Sequence, residues 1–439
     1  MSAVLNKQYP IVDHAKGMYV YDTDGKCYID CAAGIAVVNI GHSVPEVIDA
    51  IKIQAERVCF TYGGTFTSEP RLRLAEQIIK MAPQGMERVF FCSGGSEAIE
   101  SLLKIARQYQ IERGCPDKYK VITRWQSYHG NTIATLGLGG RPSWRSKYDV
   151  YLPKMPHIAQ CNCFRCPYGL SYGNCGLPCA YELERIIKYE GPETVSAFLI
   201  EPITGTTAAA TVPPKEYIQI VRDICDKYDV LFCVDEVITG FGRTGKNFAI
   251  DHFDVVPDLI GIAKGLASGY VPLGGVIVNK KVADAFVNGS GALQHSFTFA
   301  GNPLACAAAS AALSYIEKEN LVNRSAKMGK VFLEKLKTLS DLPMVGDVRG
   351  IGLMLGIEFV KDKETRKPYP GSAKISSRIS KYCFNHGVIV TAGVSGSADG
   401  VDGEAMQIAP PFIISEEDME VVVTTLREGI LETYEQLKR

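Results

Sequence analysis

Short continuous apolar runs alternate with segments of 3.6-residue periodicity through the middle of the chain. This alternation is typical of buried parallel strands connected by crossover helices. Strands are predicted at 88–92, 120–123, 195–200, 230–234, 259–263 and 275–278. Helical patterns at 96–109 and 214–228 lie between them. The order favours an α/β protein with a largely parallel sheet and helices on both of its faces.

The pattern changes after about Leu321. A long charged helix follows, then two runs rich in Val, Ile and Met at 344–348 and 353–360, then further helix and strand. This succession indicates a second, smaller α+β domain. In the last helix Ser415 precedes Asp418 by three residues, as in a capping box, and apolar residues recur on one face. We interpret this element as a packing helix.

Composition and net charge limit the classes of molecule that this chain is expected to bind. The 439 residues allow two or three domains at roughly 150 residues each. With 47 Lys and Arg against 48 Asp and Glu, the formal charge of −1 provides no positive field to hold nucleic acid or an anionic membrane. No apolar run approaches the roughly 18 residues of a membrane span, and the first ten residues lack a signal-peptide pattern. We expect a cytoplasmic protein that acts on small molecules.

Two charged residues follow apolar runs that read as strands. Asp235 ends the run in VLFCVDEV, and Lys264 follows the run in DLIGIAKG. Open α/β sheets form their ligand crevice at the carboxyl ends of strands, so a carboxylate and an amine there suggest a cofactor. Burying either charge costs several kcal/mol unless it is paired or used chemically. A structural ion pair between Asp235 and Lys264 is the alternative.

Two further motifs predict groups at the same edge of the sheet. In FFCSGGSEAIE a tight turn at 93–95 precedes a helix that begins near Ser96. Free backbone amides at a helix N-terminus, together with the helix dipole, suit a phosphate. In SYHGNT, Tyr128 and His129 follow another strand. An aromatic ring there either fills the core or stacks on a flat heterocycle.

A phosphate turn, an aromatic ring, a buried Asp and a buried Lys together describe a site for pyridoxal 5′-phosphate. The motifs SGGSEAIE, SYHG, FLIEPITG, DEVITGFGRTG, IAKGLASGYVPLGG and HSFTFAGNP resemble those of class III (fold type I) pyridoxal-phosphate-dependent aminotransferases, such as 4-aminobutyrate and ω-amino acid aminotransferases. The resemblance runs nearly end to end. It implies a mostly parallel seven-stranded sheet covered by helices, plus a smaller α+β domain from both termini. The expected division is 1–50 in the small domain, 51–325 as the large cofactor-binding domain and 326–439 as the C-terminal small domain.

The resemblance also implies roles at the cofactor ring. Lys264 is expected to form the Schiff base and then to carry the proton between substrate carbon and cofactor. Asp235 is expected to keep the pyridinium nitrogen protonated, so that the ring accepts electrons. Tyr128 is expected to stack on one face of the ring and Val237 to pack on the other, with His129 in support.

Further roles are implied around the ring. Gly95 and Ser96 are expected to bind the phosphate, together with Thr298 from the neighbouring subunit of an obligatory homodimer, with a tetramer as the alternative assembly. Glu201 is expected near the substrate side of the ring, with a purely structural role as the alternative. Arg243 is at least as suited to holding its loop as to touching substrate.

Departures from the family pattern concern the substrate. Ile238 stands where 4-aminobutyrate and ornithine aminotransferases have Gln, and Ile99 stands where they have Asn. Thr206 falls at the position of their second Glu. Gln407 takes the place of the arginine that binds the α-carboxylate of the amino acceptor. Gln can hydrogen-bond a carboxylate, but it lacks the charge of a guanidinium.

Three explanations compete. The two Ile residues resemble those of broad-range ω-aminotransferases, which favours an ω-amino acid or amine donor with pyruvate or 2-oxoglutarate as acceptor. Alternatively another basic residue reaches the carboxylate, the candidates being Arg141, Arg145 and Arg243. In the third, the chain is an amino-acid racemase or epimerase of the same superfamily. A non-catalytic binding protein is disfavoured, because both Lys264 and Asp235 are present.

A cysteine-rich insertion at 161–179 stands apart from these motifs. It contains five of the fourteen cysteines: Cys161, Cys163, Cys166, Cys175 and Cys179. Such spacing can enclose zinc or an iron–sulfur cluster. A loop of reduced or oxidised thiols explains the pattern equally well, and we expect a structural or redox role without a metal ion.

Overall fold

A computed structural model describes residues 9–393 and 395–438. Eight of the ten residues behind the expectation of no signal peptide lie outside the described part of the chain. Within it, no helix combines the length and the apolar character that crossing a bilayer requires.

Strands and helices alternate through most of the described chain. The strands are β1 (Val12–Lys16), β2 (Tyr19–Asp22), β3 (Cys27–Asp30), β4 (Met86–Cys92), β5 (Lys120–Arg124), β6 (His157–Ile158), β7 (Val195–Ile200), β8 (Leu231–Asp235), β9 (Leu259–Ile262), β10 (Gly274–Asn279), β11 (Val345–Ile351), β12 (Met354–Asp362), β13 (Lys367–Pro368), β14 (Val388–Ile389) and β15 (Glu404–Ile408). The helices are α1 (Ala33–Ala36), α2 (Pro45–Arg57), α3 (Glu69–Met81), α4 (Gly95–Glu112), α5 (Ile133–Leu138), α6 (Pro142–Arg145), α7 (Pro178–Glu190), α8 (Lys215–Lys227), α9 (Lys280–Asn288), α10 (Pro303–Lys318), α11 (Leu321–Lys337), α12 (Ile375–Asn385) and α13 (Glu416–Lys438).

The central sheet has seven strands in the order β4-β10-β9-β8-β7-β5-β6. Strand β10 runs antiparallel to both of its neighbours, and the other pairs are parallel. Successive residues of β7 enter two separate apolar clusters: Phe198 and Ile200 one, Ala197 and Leu199 the other. Each cluster covers one face, which explains why the inner strands are continuous apolar runs. The prediction of a mostly parallel seven-stranded sheet covered by helices is confirmed.

Two smaller sheets complete the fold. One has the order β1-β2-β3-β14, and in the other β12 pairs with β11, β13 and β15. Val388 of β14 pairs in parallel with Ile29 of β3, so segments near both ends of the chain share one sheet. The division at 1–50, 51–325 and 326–439 stays a prediction.

The last helix begins as its sequence predicts. The Asp418 amide donates to Ser415 Oγ at 3.0 Å, and the Ser415 amide donates to Asp418 Oδ2 at 3.3 Å. These reciprocal bonds form the capping box. Met419, Val422 and Leu426 are buried, so α13 is the packing helix that its periodicity indicates.

Candidate active site

A cavity of about 160 Å³ lies where the carboxyl ends of five strands, β4, β5, β7, β8 and β9, meet at one edge of the sheet. The residues that line it lie at these strand ends or a few positions after them: Gly95, Ser96, Tyr128, His129, Gly130, Glu201, Ile203, Asp235, Val237, Ile238, Thr239 and Lys264. Parallel strands bring their carboxyl ends to the same edge, where open α/β sheets hold their ligands. Residues as far apart in the sequence as Gly95 and Lys264 thereby share one site.

Asp235 is the last residue of β8 and is 5% exposed. Its Oδ2 lies 2.8 Å from His129 Nδ1, and its Oδ1 accepts a hydrogen bond from the Val237 amide at 3.0 Å. The other nitrogen of the His129 ring lies 3.1 Å from Thr123 Oγ1. The carboxylate is therefore held rigidly, and the ring nitrogen that contacts it belongs to His129, with no ion pair to Lys264. The alternative of a direct Asp235–Lys264 ion pair is not what the structure contains.

Lys264 follows β9 by two residues, with a φ of +42°. A residue other than glycine in this left-handed region is uncommon, and such strain clusters at functional sites. Burial lowers the pKa of Lys264 to about 8, although attraction to Asp235 and Glu201 acts in the opposite direction. At neutral pH a larger fraction of this amine is therefore unprotonated than in an ordinary lysine.

The phosphate-binding turn lies at the start of α4. The helix begins at Gly95, one residue before the predicted start, and runs for 18 residues. A Cβ on Gly95 would lie 3.0 Å from Val237 Cγ1, so this position leaves room for little beyond glycine. Ser96 Oγ accepts a hydrogen bond from the Asn131 amide at 3.1 Å. The positive end of the helix dipole thus faces the cavity, as a phosphate requires.

Tyr128 and Glu201 form another wall. The Tyr128 ring packs edge-on against Trp144, with 5.0 Å between ring centroids. Burial raises the pKa of the Tyr128 phenol. The Glu201 carboxylate accepts hydrogen bonds from the Gly205 amide at 3.1 Å and the Tyr128 amide at 3.4 Å, and burial raises its pKa. Glu201 therefore lines the cavity and also fixes the backbone around it.

Some cavity residues escaped prediction from the sequence. Gly130, Ile203 and Thr239 line the cavity although none was a candidate. Each lies within four residues of a predicted site residue, which is the signal that could have found them. A Cβ on Gly130 would lie 2.6 Å from Ser96 Oγ, so the small residue after His129 lets two strand ends approach closely.

Other candidates lie outside the cavity of their own chain. Thr298 is exposed in the segment before α10. Ile99 is fully buried in an apolar cluster, and Thr206 is not among the lining residues, so of the first three substitutions only Ile238 reaches the cavity. Gln407 is 3% exposed on β15, and no described residue hydrogen-bonds to its buried Nε2.

Arg243 has a structural environment. Its guanidinium donates to the Leu353 carbonyl at 2.9 Å, the Pro410 carbonyl at 2.6 Å and Asn39 Oδ1 at 2.6 Å. These contacts join its loop to distant parts of the chain. The interpretation of Arg243 as a loop-holding residue fits this geometry better than contact with substrate.

The cysteine-rich insertion lies away from the cavity. The Sγ atoms of Cys161 and Cys179 are 3.8 Å apart, and Cys163 is exposed. Among the described residues, no three His, Cys, Asp or Glu side chains are placed to hold a metal ion. Arg165 of the insertion pairs with the buried Glu358 of β12, so the loop is anchored to the neighbouring small sheet.

Comparison with known proteins identifies this arrangement. The family model "Aminotransferase class-III" matches residues 2–430. The uncharacterized aminotransferase YodT of Bacillus subtilis is 37% identical over 99% of this chain and 98% of its own, and putrescine–pyruvate aminotransferase of Pseudomonas aeruginosa is 35% identical over 96% and 91%. A transaminase from the marine bacterium Virgibacillus superposes with a TM-score of 0.92 at 35% identity, covering 98% of this chain and 95% of its own. The ω-transaminase of Pseudomonas jessenii, solved in complex with PMP, gives 0.91 at 34% identity over 98% and 93%.

Proposed function

The chain belongs to the class III aminotransferases, which depend on pyridoxal 5′-phosphate, and we propose that it moves an amino group from an ω-amino acid or amine to pyruvate or 2-oxoglutarate. The single observation that carries this proposal is the cavity that unites the Lys264 amine, the Asp235 carboxylate and the N-terminus of α4. A relative named for putrescine and pyruvate supports an amine donor, as does the apolar Ile238 in the cavity wall. The relatives and solved structures named above are aminotransferases, so the racemase alternative gains no support.

The residues of the cavity fit the cofactor. The start of α4 offers backbone amides and Ser96 to a phosphate, and Asp235 offers a rigid buried carboxylate to a pyridine nitrogen. The Tyr128 ring and the Val237 side chain provide flat and apolar surfaces. When bound, pyridoxal 5′-phosphate supplies an electron sink for the carbanion that forms at the substrate carbon.

The remaining chemistry belongs to residues of this chain. Lys264 Nζ accepts the proton that leaves the donor carbon and then donates it to the bound cofactor. Its lowered pKa makes both protonation states of the amine accessible. Asp235 keeps a proton on the pyridine nitrogen, while His129 and the Val237 amide fix the orientation of the carboxylate. Glu201 keeps the Tyr128 backbone in place beside the cavity.

The half-reaction tests the proposal. Single amines and amino acids are added to acceptor-free holoenzyme, and absorbance follows conversion of the aldehyde form to the pyridoxamine form. We expect stoichiometric conversion by an ω-amino acid or amine such as 4-aminobutyrate, β-alanine or putrescine, and reversal by pyruvate or 2-oxoglutarate. Conversion by α-amino acids alone, with no response to any ω-amine, would overturn the donor class.

We also propose a homodimer with shared active sites, in which Thr298 binds the phosphate held by the partner subunit. The exposed position of Thr298, outside the cavity of its own chain, supports this arrangement. Mixing Lys264→Ala and Thr298→Ala subunits is expected to recover activity that each variant alone lacks, because one composite site in the heterodimer keeps both residues. Absence of recovery in heterodimers shown to form would refute shared sites.

Location in the cytoplasm stays a prediction.

A further inference from the structure

Arg141, at the start of α6, is buried and has no acidic partner among the described residues. The residue is 4% exposed, and its Nε and Nη1 atoms are buried with no hydrogen-bond partner in the described part of the chain. Within residues 9–393 and 395–438, the one hydrogen bond of the guanidinium runs from Nη2 to the Ser395 carbonyl at 2.7 Å. Burial lowers the pKa of Arg141 to about 10, and no neighbouring charge opposes that effect. A guanidinium in such surroundings is costly unless an anion joins it.

The Trp144 side chain connects this arginine to Tyr128 in the cavity wall. The Gly140 amide donates to the Ser127 carbonyl at 3.1 Å, which places the Arg141 backbone beside the segment that leads into Tyr128. The guanidinium carbon lies 4.7 Å from the centre of the Trp144 ring, and that ring packs against Tyr128. Arg141, Trp144 and the Ser395 carbonyl together form a corner next to the cavity wall, which we call the arginine corner.

The other basic candidates have partners of their own. Arg243 donates to three oxygen atoms, as described above. Arg145 donates to the Gly139 carbonyl at 3.0 Å, and its Nε lies 3.7 Å from Asp149 Oδ1. Arg141 therefore has more buried guanidinium nitrogen atoms without a described hydrogen-bond partner than Arg243 or Arg145.

Arg124 is also buried with two unpartnered nitrogen atoms, but it has an acidic neighbour. It donates to the Glu201 carbonyl at 2.6 Å, and its charge attracts the Glu201 carboxylate. Its position at the end of β5 thus has a structural explanation that Arg141 lacks.

We propose that Arg141 binds the carboxylate of the 2-oxoacid acceptor, an inference that rests on the proposed function. The anion displaces the neutral Ser395 carbonyl and accepts charge-assisted hydrogen bonds, which are stronger than those of a neutral amide. Arg141 thus supplies the positive charge that Gln407 cannot.

Arg141→Met and its matched control Arg145→Met, four residues along the same short segment, test this assignment. In Arg141→Met we expect KM for pyruvate or 2-oxoglutarate to rise about 30-fold, with kcat reduced less than about threefold. Calorimetry with glutarate, an unreactive dicarboxylate, is expected to show a similar loss of affinity. Arg141→Lys is expected to recover part of both. Arg145→Met is expected to match wild type in both measurements.

The melting temperature of the ligand-free protein distinguishes substrate binding by Arg141 from a purely structural role. Removing an uncompensated buried charge is expected to leave the melting temperature of the ligand-free protein unchanged or higher. A melting temperature lower by several degrees, with kcat and the KM for the amine donor affected as strongly as KM for the acceptor, would overturn the proposal. Unchanged KM and glutarate affinity would overturn it too. If wild type turned over no 2-oxoacid, the proposed function would fail, while glutarate binding that depends on Arg141 would still support the carboxylate site.

Discussion

Lys264→Ala is expected to lower kcat for transamination about 10⁴-fold, the upper range of what a positioned acid–base group contributes. In the described cavity Lys264 is the residue that brings an amine to the side of Asp235 and Glu201. Single-turnover absorbance measurements with a competent amine donor give the rate directly. A small primary amine added in solution is expected to restore part of the lost rate. A variant within tenfold of wild type would show that another residue carries the proton.

The same amine predicts a pH signature in the apoprotein. Burial lowers the pKa of Lys264 to about 8, and only the unprotonated amine is nucleophilic. The rate of recombination with pyridoxal 5′-phosphate is therefore expected to rise about tenfold per pH unit up to about pH 8 and to level off above it. An unperturbed lysine would give a rate that keeps rising to about pH 10. Such a continuing rise would contradict the perturbed environment of Lys264.

The inner strands could be predicted from sequence because they are buried on both faces. The predicted run 195–200 coincides with β7, whose six residues are all buried. The edge strand β4 begins at Met86, two residues before the prediction, because the charged and exposed Glu87 separates Met86 from the apolar run. Pairings between distant segments, such as Val388 with Ile29, leave no local signal and could not be predicted.

The residues of the candidate site also differ in how far the sequence predicts them. Asp235 and Lys264 could be found because each interrupts an apolar pattern with a charge that burial makes costly. The demand of Arg141 for an anion could not, because it depends on Ser395, about 250 positions away, being the single hydrogen-bond partner of its side chain among the described residues. The sequence identifies Arg141 as one of three candidate arginines for the acceptor carboxylate. Only the packing of the loops in the folded chain shows how the three differ in their hydrogen-bond partners.

Asp235→Asn is expected to lower kcat by about 10²–10³-fold, the usual effect of removing one preorganised electrostatic contact from an active site. The substitution keeps the shape of the side chain, so an amide oxygen still accepts from the Val237 amide and the His129 ring keeps its neighbour. The loss therefore reports the missing negative charge beside the cofactor nitrogen. Steady-state kcat with saturating donor and acceptor measures it. Wild-type kcat in a holoenzyme of full cofactor content would refute the role of Asp235.

Asp258→Asn is the matched control, because Asp258 is also buried but precedes β9 at the opposite end of the sheet. Its carboxylate lies 2.9 Å from Arg222 and 3.1 Å from Lys281, and accepts from the Phe232 amide at 2.8 Å. Breaking this buried pair is expected to cost about 3 kcal/mol of unfolding free energy while kcat stays unchanged. Burial alone would raise the pKa of Asp258, but Arg222 and Lys281 outweigh it and hold the pKa below its usual value. The stabilisation is therefore present above about pH 4 and is lost as the pH falls further, so the difference in melting temperature between wild type and Asp258→Asn is expected to shrink in acid. A drop in kcat for Asp258→Asn, or a large loss of stability for Asp235→Asn, would mean that the two buried carboxylates do not divide chemistry and stability between the two ends of the sheet.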